Sequence, residues 1–227
     1  MAKKVSIEQM DILFEFTRKH YVEYYDLQCE LADHLANAIE TQWTIKPEMD
    51  FKEALNREFK KFGIFGFMDV VEKRQWALTK KYHKLIWVYF KEFFKLPKIL
   101  LTLLIGISIF KLIELSVSAY MLLFVSSIIF SWYKLIVTYR RYNKKNKITG
   151  RKWLLEDIIK RGGDAGGFLY ASYFLLPHKD MDSPSVKHMI FMAILFTVVA
   201  LYQYIVLYVI PAKAKEHLLK TYPEYNM

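Results

Sequence analysis

The hydrophobic pattern of the chain changes near Lys95, from amphipathic periodicity to long apolar runs. Before that point apolar residues recur every three or four positions, which predicts amphipathic helices. After it come apolar runs at positions 99–115, 119–137 and 189–210. At about 1.5 Å per helical residue, runs of this length approach the roughly 30 Å hydrocarbon core of a bilayer. The pattern therefore predicts an all-α protein in which a helical domain precedes membrane spans.

Three helix starts are marked within residues 1–82. Ser6 and Gln9 have capping-box spacing, Asp26 is placed to cap a second helix, and Asp50 begins a third. Each start is followed by an apolar stripe at helical spacing. The stripes are Ile7, Met10, Leu13, Phe14 and Thr17; Leu27, Leu31, Leu35, Ala38 and Ile39; and Phe51, Ala54, Leu55, Phe59 and Phe62. Residues 1–82 are therefore predicted to form a small cytoplasmic helical bundle.

Residues 83–97 interleave aromatic and lysine side chains. The aromatic residues are Trp87, Tyr89, Phe90, Phe93 and Phe94, and the lysines are Lys84, Lys91 and Lys95. This combination is typical of an amphipathic helix in the headgroup interface. The alternative is that these residues pack against the bundle or the spans. Pro97 is then expected to turn the chain into the bilayer.

Basic residues that follow the apolar runs predict the orientation of the spans, because cytoplasmic loops are enriched in Lys and Arg. They are Arg140, Arg141, Lys144, Lys145, Lys147, Arg151 and Lys152 after one run, and Lys213 and Lys215 after the last. Two cytoplasmic segments require two crossings between them, so the short apolar stretch 163–177 is predicted to span, or to be re-entrant. The predicted membrane domain covers 98–212, with spans at about 98–115, 117–138, 163–177 and 187–210. A cytoplasmic tail, 213–227, completes the prediction.

Composition agrees with a membrane protein that has a basic cytoplasmic side. Of 227 residues, 54% are hydrophobic, and 33 basic against 23 acidic residues leave a net charge of +10. Nucleic-acid binding could also explain the basic excess, but its densest cluster directly follows an apolar run, where anionic headgroups already account for it. Cys29 is the only cysteine, which excludes an intramolecular disulfide. No cofactor is predicted.

Asp26, Glu30 and His34 are the strongest candidates for metal ligands, because they are spaced one helical turn apart. Their spacing matches neither HExxH nor the Glu-x-x-His motif of di-iron bundles. The favoured alternative is that His34 is a structural residue held by hydrogen bonds.

A second candidate site for phosphate or lipid headgroups lies at the predicted cytoplasmic interface. It comprises Arg161, Gly162, Gly163 and Asp164, together with Lys144 and Lys145. Glycines let backbone N–H groups approach a phosphate, and arginine adds charge. The favoured alternative is that the small residues permit close helix packing.

Lys111 and Glu114 are the one charge pair predicted at membrane depth. They are three positions apart, hence on one helical face. Ionisable groups in a span are candidates for function, although these two lie close to the predicted end of their span.

Residues 20–75 resemble the small helical domains, of the permease-prefix or HAAS type, that precede membrane spans in some bacterial proteins. The resemblance rests on Asp26, Glu30, Leu31, Asp33, His34 and Leu35, then on Phe51, Ala54 and Leu55, and on the FGIFGF stretch at 62–67. It implies a cytoplasmic interaction or sensing module rather than a catalytic domain. The bacterial inner membrane is the predicted location, and the basic loops together with four spans predict that both termini are cytoplasmic.

The leading hypothesis for function is a non-enzymatic regulatory, scaffold or accessory subunit. It would bind the bilayer's anionic headgroups and a protein partner or a second copy of itself. No catalytic residues are predicted, because the chain has neither a GxSxG elbow nor HExxH. One alternative is a membrane enzyme or headgroup-binding protein that uses the 140–167 interface. Another is a transporter or channel subunit.

Overall fold

The computed structural model describes residues 3–162, 185–222 and 225, and all regular structure within them is helical. The all-α fold class is therefore confirmed for this part of the chain. The predicted span 163–177 lies outside the described residues. The chain divides into two compact units. The first contains the residues up to Leu78 together with Asn146–Leu155, and the second contains Thr79–Lys145 and the residues from Glu156 onward.

The helices follow one another through both units. In chain order they are α1 Ile7–Lys19, α2 Tyr25–Ile45, α3 Phe51–Lys60, α4 Met68–Glu92, α5 Lys98–Leu115, α6 Val117–Thr149, α7 Leu154–Lys160, α8 Val186–Tyr204 and α9 Ala214–Thr221. A π-helical turn, Ile205–Val209, and a short turn, Ile210–Ala212, continue α8. Most of the predicted interfacial segment 83–97 forms the C-terminal part of α4.

The core of the first unit is built on α2. Leu27, Leu35 and Ile39, all from the predicted stripe, are completely buried. The capping box of Ser6 and Gln9 is confirmed at the start of α1. Ile7, expected on the buried face, is instead exposed, because Leu13 and Thr17 form the buried face of α1.

The predicted capping role of Asp26 is wrong. Helix α2 begins at Tyr25, and its N-cap residue, Tyr24, makes no side-chain cap. Asp26 lies in the first turn of α2 with only 6% of its surface exposed. Its carboxylate accepts a hydrogen bond from Leu154 instead.

In the second unit α5, α6 and α8 share one apolar core. Its buried residues are Ile109, Ile113, Tyr120, Phe124, Met192, Ala193, Phe196 and Val199. Helix α6 continues past the predicted end of its span at 138 and reaches Thr149. The residues beyond 138 are too polar for the hydrocarbon core, but five of the eleven up to Thr149 are Arg or Lys, which favour helix, and none is Gly or Pro. The helix therefore extends beyond its apolar part.

Two of the helices are long and apolar enough to cross a membrane, Val117–Thr149 and Val186–Ala212. Helix α5 has the bounds predicted for the first span and carries three charged residues, Lys98, Lys111 and Glu114.

Candidate functional site

Residues 149–155, here called the strap, run from the last residue of α6 to the second residue of α7 and belong to the first unit. Two hydrogen bonds hold the strap to the start of α2. The N–H of Tyr25 donates to the carbonyl of Lys152 over 2.7 Å. The N–H of Leu154 donates to Oδ1 of Asp26 over 3.1 Å. The segment that leaves α6 is therefore fixed to the bundle through its backbone.

Side chains reinforce this attachment around Tyr25. The guanidinium of Arg151 lies 4.5 Å from the centre of the Tyr25 ring, and the Trp153 ring meets that ring edge-on at 5.4 Å. Lys152 and Glu23 form a 2.9 Å ion pair. Trp153 is buried, so the strap contributes an anchor to the core of the bundle.

Asp26 of α2 holds the strap because it accepts a hydrogen bond at the start of a second helix. Leu154 is the first residue of α7, and the first N–H groups of a helix have no partner within the helix. A carboxylate at that end satisfies one such donor and also interacts favourably with the helix dipole. Asp26 thus acts at a helix that begins 128 residues after it.

The predicted metal ligands do not share a centre. Asp26 is committed to Leu154, whereas Oε2 of Glu30 lies 3.8 Å from the Arg74 guanidinium. His34 is exposed and its ring lies 6.1 Å from that of Phe62. Across the described ranges, no group of three or more His, Cys, Asp or Glu side chains is arranged to hold a metal ion.

Of the two lysines in the predicted headgroup site, Lys145 faces into the second unit. Its Nζ lies 2.7 Å from Oε1 of Glu156, a carboxylate with only 2% of its surface exposed. The Tyr225 hydroxyl also hydrogen-bonds to Lys145 and to Glu156. Lys144 is exposed. The positive charge of Lys145 is therefore compensated within the protein.

The Arg161 guanidinium lies 2.7 Å from Asp157, but it shares this one carboxylate with a second cation. Lys160 reaches the same carboxylate, also over 2.7 Å. A Cβ atom at Gly162 would lie 3.3 Å from Cγ1 of Val206, which agrees with close packing at this position. Gly163 and Asp164 lie outside the described residues.

Lys111 and Glu114 form the predicted ion pair within α5, with 2.6 Å between Nζ and Oε2. Both side chains are at least half exposed. The pair lies in the last two turns of the helix.

A buried polar pair that the sequence did not indicate joins α4 to α9. The Tyr89 hydroxyl lies 3.0 Å from Nε2 of His217, and Lys81 donates to the Thr221 hydroxyl over 2.9 Å. Burial lowers the pKa of His217, as do the nearby lysines, including Lys81. The imidazole is thus held in its neutral form.

The chain was also compared with known proteins, and no protein-family model, curated protein or solved structure matches it.

Proposed function

We propose that this protein is a non-enzymatic membrane subunit, regulatory or accessory, whose helical bundle binds a protein partner at the cytoplasmic surface. The observation that carries the proposal is the strap. Because it continues directly from α6, a helix apolar enough to span, the bundle is tied to the membrane domain by α6 as well as by α4. A domain with two such connections is suited to pass a change between its partner and the spans.

The surface of α6 supports the membrane setting. Its exposed residues include Leu122, Ile129 and Ile136, and Leu122 is 74% exposed. Such an apolar helix face is costly in water and favourable in lipid. The proposed topology has four spans, at about 98–115, 117–138, 163–177 and 187–210, in a bacterial inner membrane, with both termini cytoplasmic.

The strap gives the proposed regulation a defined place, because it meets the start of α2 at Tyr25 and Asp26, beside the buried anchor Trp153. Its backbone attachment rests on the bonds of Tyr25 and Asp26, and the Lys152–Glu23 ion pair is exposed. Exposed ion pairs add little stability. A partner that binds near the start of α2 could therefore shift the strap between docked and released states.

The two alternatives have less support. A headgroup site would need uncompensated positive charge, yet Lys145 is paired with Glu156, and Arg161 is partly compensated by Asp157, which it shares with Lys160. A transport pathway would need charge within a closed bundle, whereas Lys111 and Glu114 are exposed near the end of α5.

Site-specific photocrosslinking in intact cells tests the proposal. A photoreactive residue at Ile12 or Ile45, both exposed on the bundle, should give a discrete adduct with one protein. The same residue at Leu122 on α6 serves as a lipid-facing control. The substitution Asp26→Ala, which removes the acceptor for the strap, should alter the yield of the bundle adduct. Absence of any protein adduct from the bundle positions would contradict the proposed function.

A further inference from the structure

An exposed apolar tip projects from the first unit between α3 and α4. Ile64 is 99% exposed and Phe65 is 69% exposed, and the neighbouring Met68 is also exposed. Large apolar side chains placed side by side in water are unfavourable, and such patches mark sites of contact. These three residues are called the tip.

The tip stands on a rigid base, so its exposure does not result from a loose loop. Phe67 is buried and meets Phe62 and Phe59 edge-on, at 4.8 Å and 5.0 Å between ring centres. Gly63 and Gly66 turn the chain with φ angles of 75° and 54°. Hydrogen bonds close the turn, including one from the N–H of Gly66 to the carbonyl of Gly63. The fold thus fixes the backbone that carries Ile64 and Phe65.

Basic residues precede the tip at the end of α3. Arg57 and Lys60 are exposed, and Lys61 is exposed but lies 2.7 Å from the carboxylate of Glu58. Asp69 is the acidic residue closest to the tip in sequence. Apolar and aromatic side chains flanked by lysine and arginine match a bilayer interface, where the rings enter the headgroup layer and the cations meet phosphates.

We propose that the tip inserts into an anionic lipid surface. This proposal stands apart from the protein partner of the bundle, because it concerns a different surface and a different ligand. Two or three apolar side chains would bind a membrane weakly on their own. The tip is tethered, however, since α5 begins about thirty residues further along the chain, and tethering raises the effective concentration of the lipid surface.

The experiment uses the full chain reconstituted in vesicles, with Cys29→Ser removing the native cysteine. An environment-sensitive fluorophore is attached to Ile64→Cys or, as a matched control, to Ile45→Cys on the same bundle. The vesicles contain phosphatidylcholine alone or with phosphatidylglycerol, and brominated lipids serve as quenchers. The expected result is blue-shifted, lipid-quenched emission at position 64 that strengthens with phosphatidylglycerol, and neither effect at position 45.

Two charge variants sharpen the test. Arg57→Gln combined with Lys60→Gln should reduce the lipid partitioning of the tip by roughly tenfold or more, because each basic residue near an anionic surface adds attraction. Lys46→Gln, an exposed change elsewhere on the bundle, should leave the quenching unchanged. Emission at position 64 that matches position 45 would overturn the proposal. A blue shift without lipid quenching would also overturn it, since the tip would then contact protein.

Discussion

At the residue scale, the ion pair of Glu156 and Lys145 has one buried partner, because the Glu156 side chain is 3% exposed and the Lys145 side chain is 41% exposed. Removing the charge of one partner leaves the charge of the other uncompensated. The resulting loss of stability grows with burial. We expect Glu156→Gln to destabilise the protein by about 1–3 kcal/mol, because the buried amide no longer matches the lysine. Thermal unfolding in a mild detergent measures the effect.

The exposed pair of Glu216 and Lys220 provides the control, because its Nζ–Oε1 distance is also 2.7 Å. Glu216→Gln should leave the unfolding temperature unchanged, since solvent screens an exposed pair. Equal effects of Glu156→Gln and Glu216→Gln would contradict the importance assigned to burial.

The environment of His217 predicts a pH dependence. Burial lowers its pKa, Lys220, Lys213 and Lys81 lower it further, and Glu216 opposes them. The unfolded chain therefore binds a proton at a higher pH than the folded one. The stability contributed by neutral His217 is complete above about pH 6.5, the ordinary histidine value, and is lost as the pH falls through the folded pKa.

Unfolding temperatures measured from above pH 6.5 to below the folded pKa of His217 test this pH dependence of stability. His217→Gln keeps hydrogen-bonding capacity beside Tyr89 but removes the titration, so its unfolding temperature should change less on acidification. A variant that follows the same pH curve as the parent protein would exclude His217 as the source.

At the scale of elements, the strap links Asp26 of α2 to the first turn of α7. We expect Asp26→Ala to weaken strap docking by about 1–2 kcal/mol, the range for losing a helix-end acceptor. Asp26→Asn retains an acceptor oxygen and should be milder. Amide hydrogen exchange of residues 149–155 reports docking directly.

Asp33 offers a matched control on the same helix, because it is exposed and accepts a hydrogen bond from Asn37, one turn along α2. Asp33→Ala should leave exchange in the strap unchanged. Unaltered exchange in Asp26→Ala would show that other contacts suffice to hold the strap.

Local sequence patterns predicted the helices better than they predicted the tertiary contacts of individual residues. The stripe of Leu27, Leu35 and Ile39 indicated the core face of α2, because helical spacing alone determines which residues share a face. Asp26 could not be assigned in this way, since its partner, Leu154, is distant in sequence and only tertiary packing brings the two together. The prediction gave the bounds of a span, 117–138, and α6 is longer than that span because hydrophobicity limits a span but not a helix.

The same difference between local and tertiary contacts explains which parts of the candidate sites were predictable from the sequence. Lys111 and Glu114 were predictable as a pair, because three positions along a helix place them together. Lys145 was assigned to headgroups, since the sequence does not reveal that Glu156 and Tyr225 face it. A charge that has no partner nearby in the sequence often has a partner that is distant in sequence and close in space.

At the scale of the whole molecule, the number of membrane crossings determines which segments of the chain lie on the same side of the membrane. The loop after α6 and the tail after α8 are both basic, so both are proposed to be cytoplasmic. The helix Val186–Ala212 is long and apolar enough to cross the membrane, and the proposed topology gives it one crossing and residues 163–177 the return crossing. The segment between them, which contains Lys179, should then face the opposite side from Lys144.

Single cysteines test this topology in a Cys29→Ser background. An impermeant thiol reagent applied to intact cells should label Lys179→Cys, whereas Lys144→Cys should react only after the membrane is opened. Labelling of both positions from one side would exclude a crossing at 163–177. It would then leave the tail after α8 on the opposite side from the loop after α6, because Val186–Ala212 still crosses between them. The strap follows residue 144 with no apolar run between them, so the labelling of Lys144→Cys tests whether the proposed partner surface is cytoplasmic.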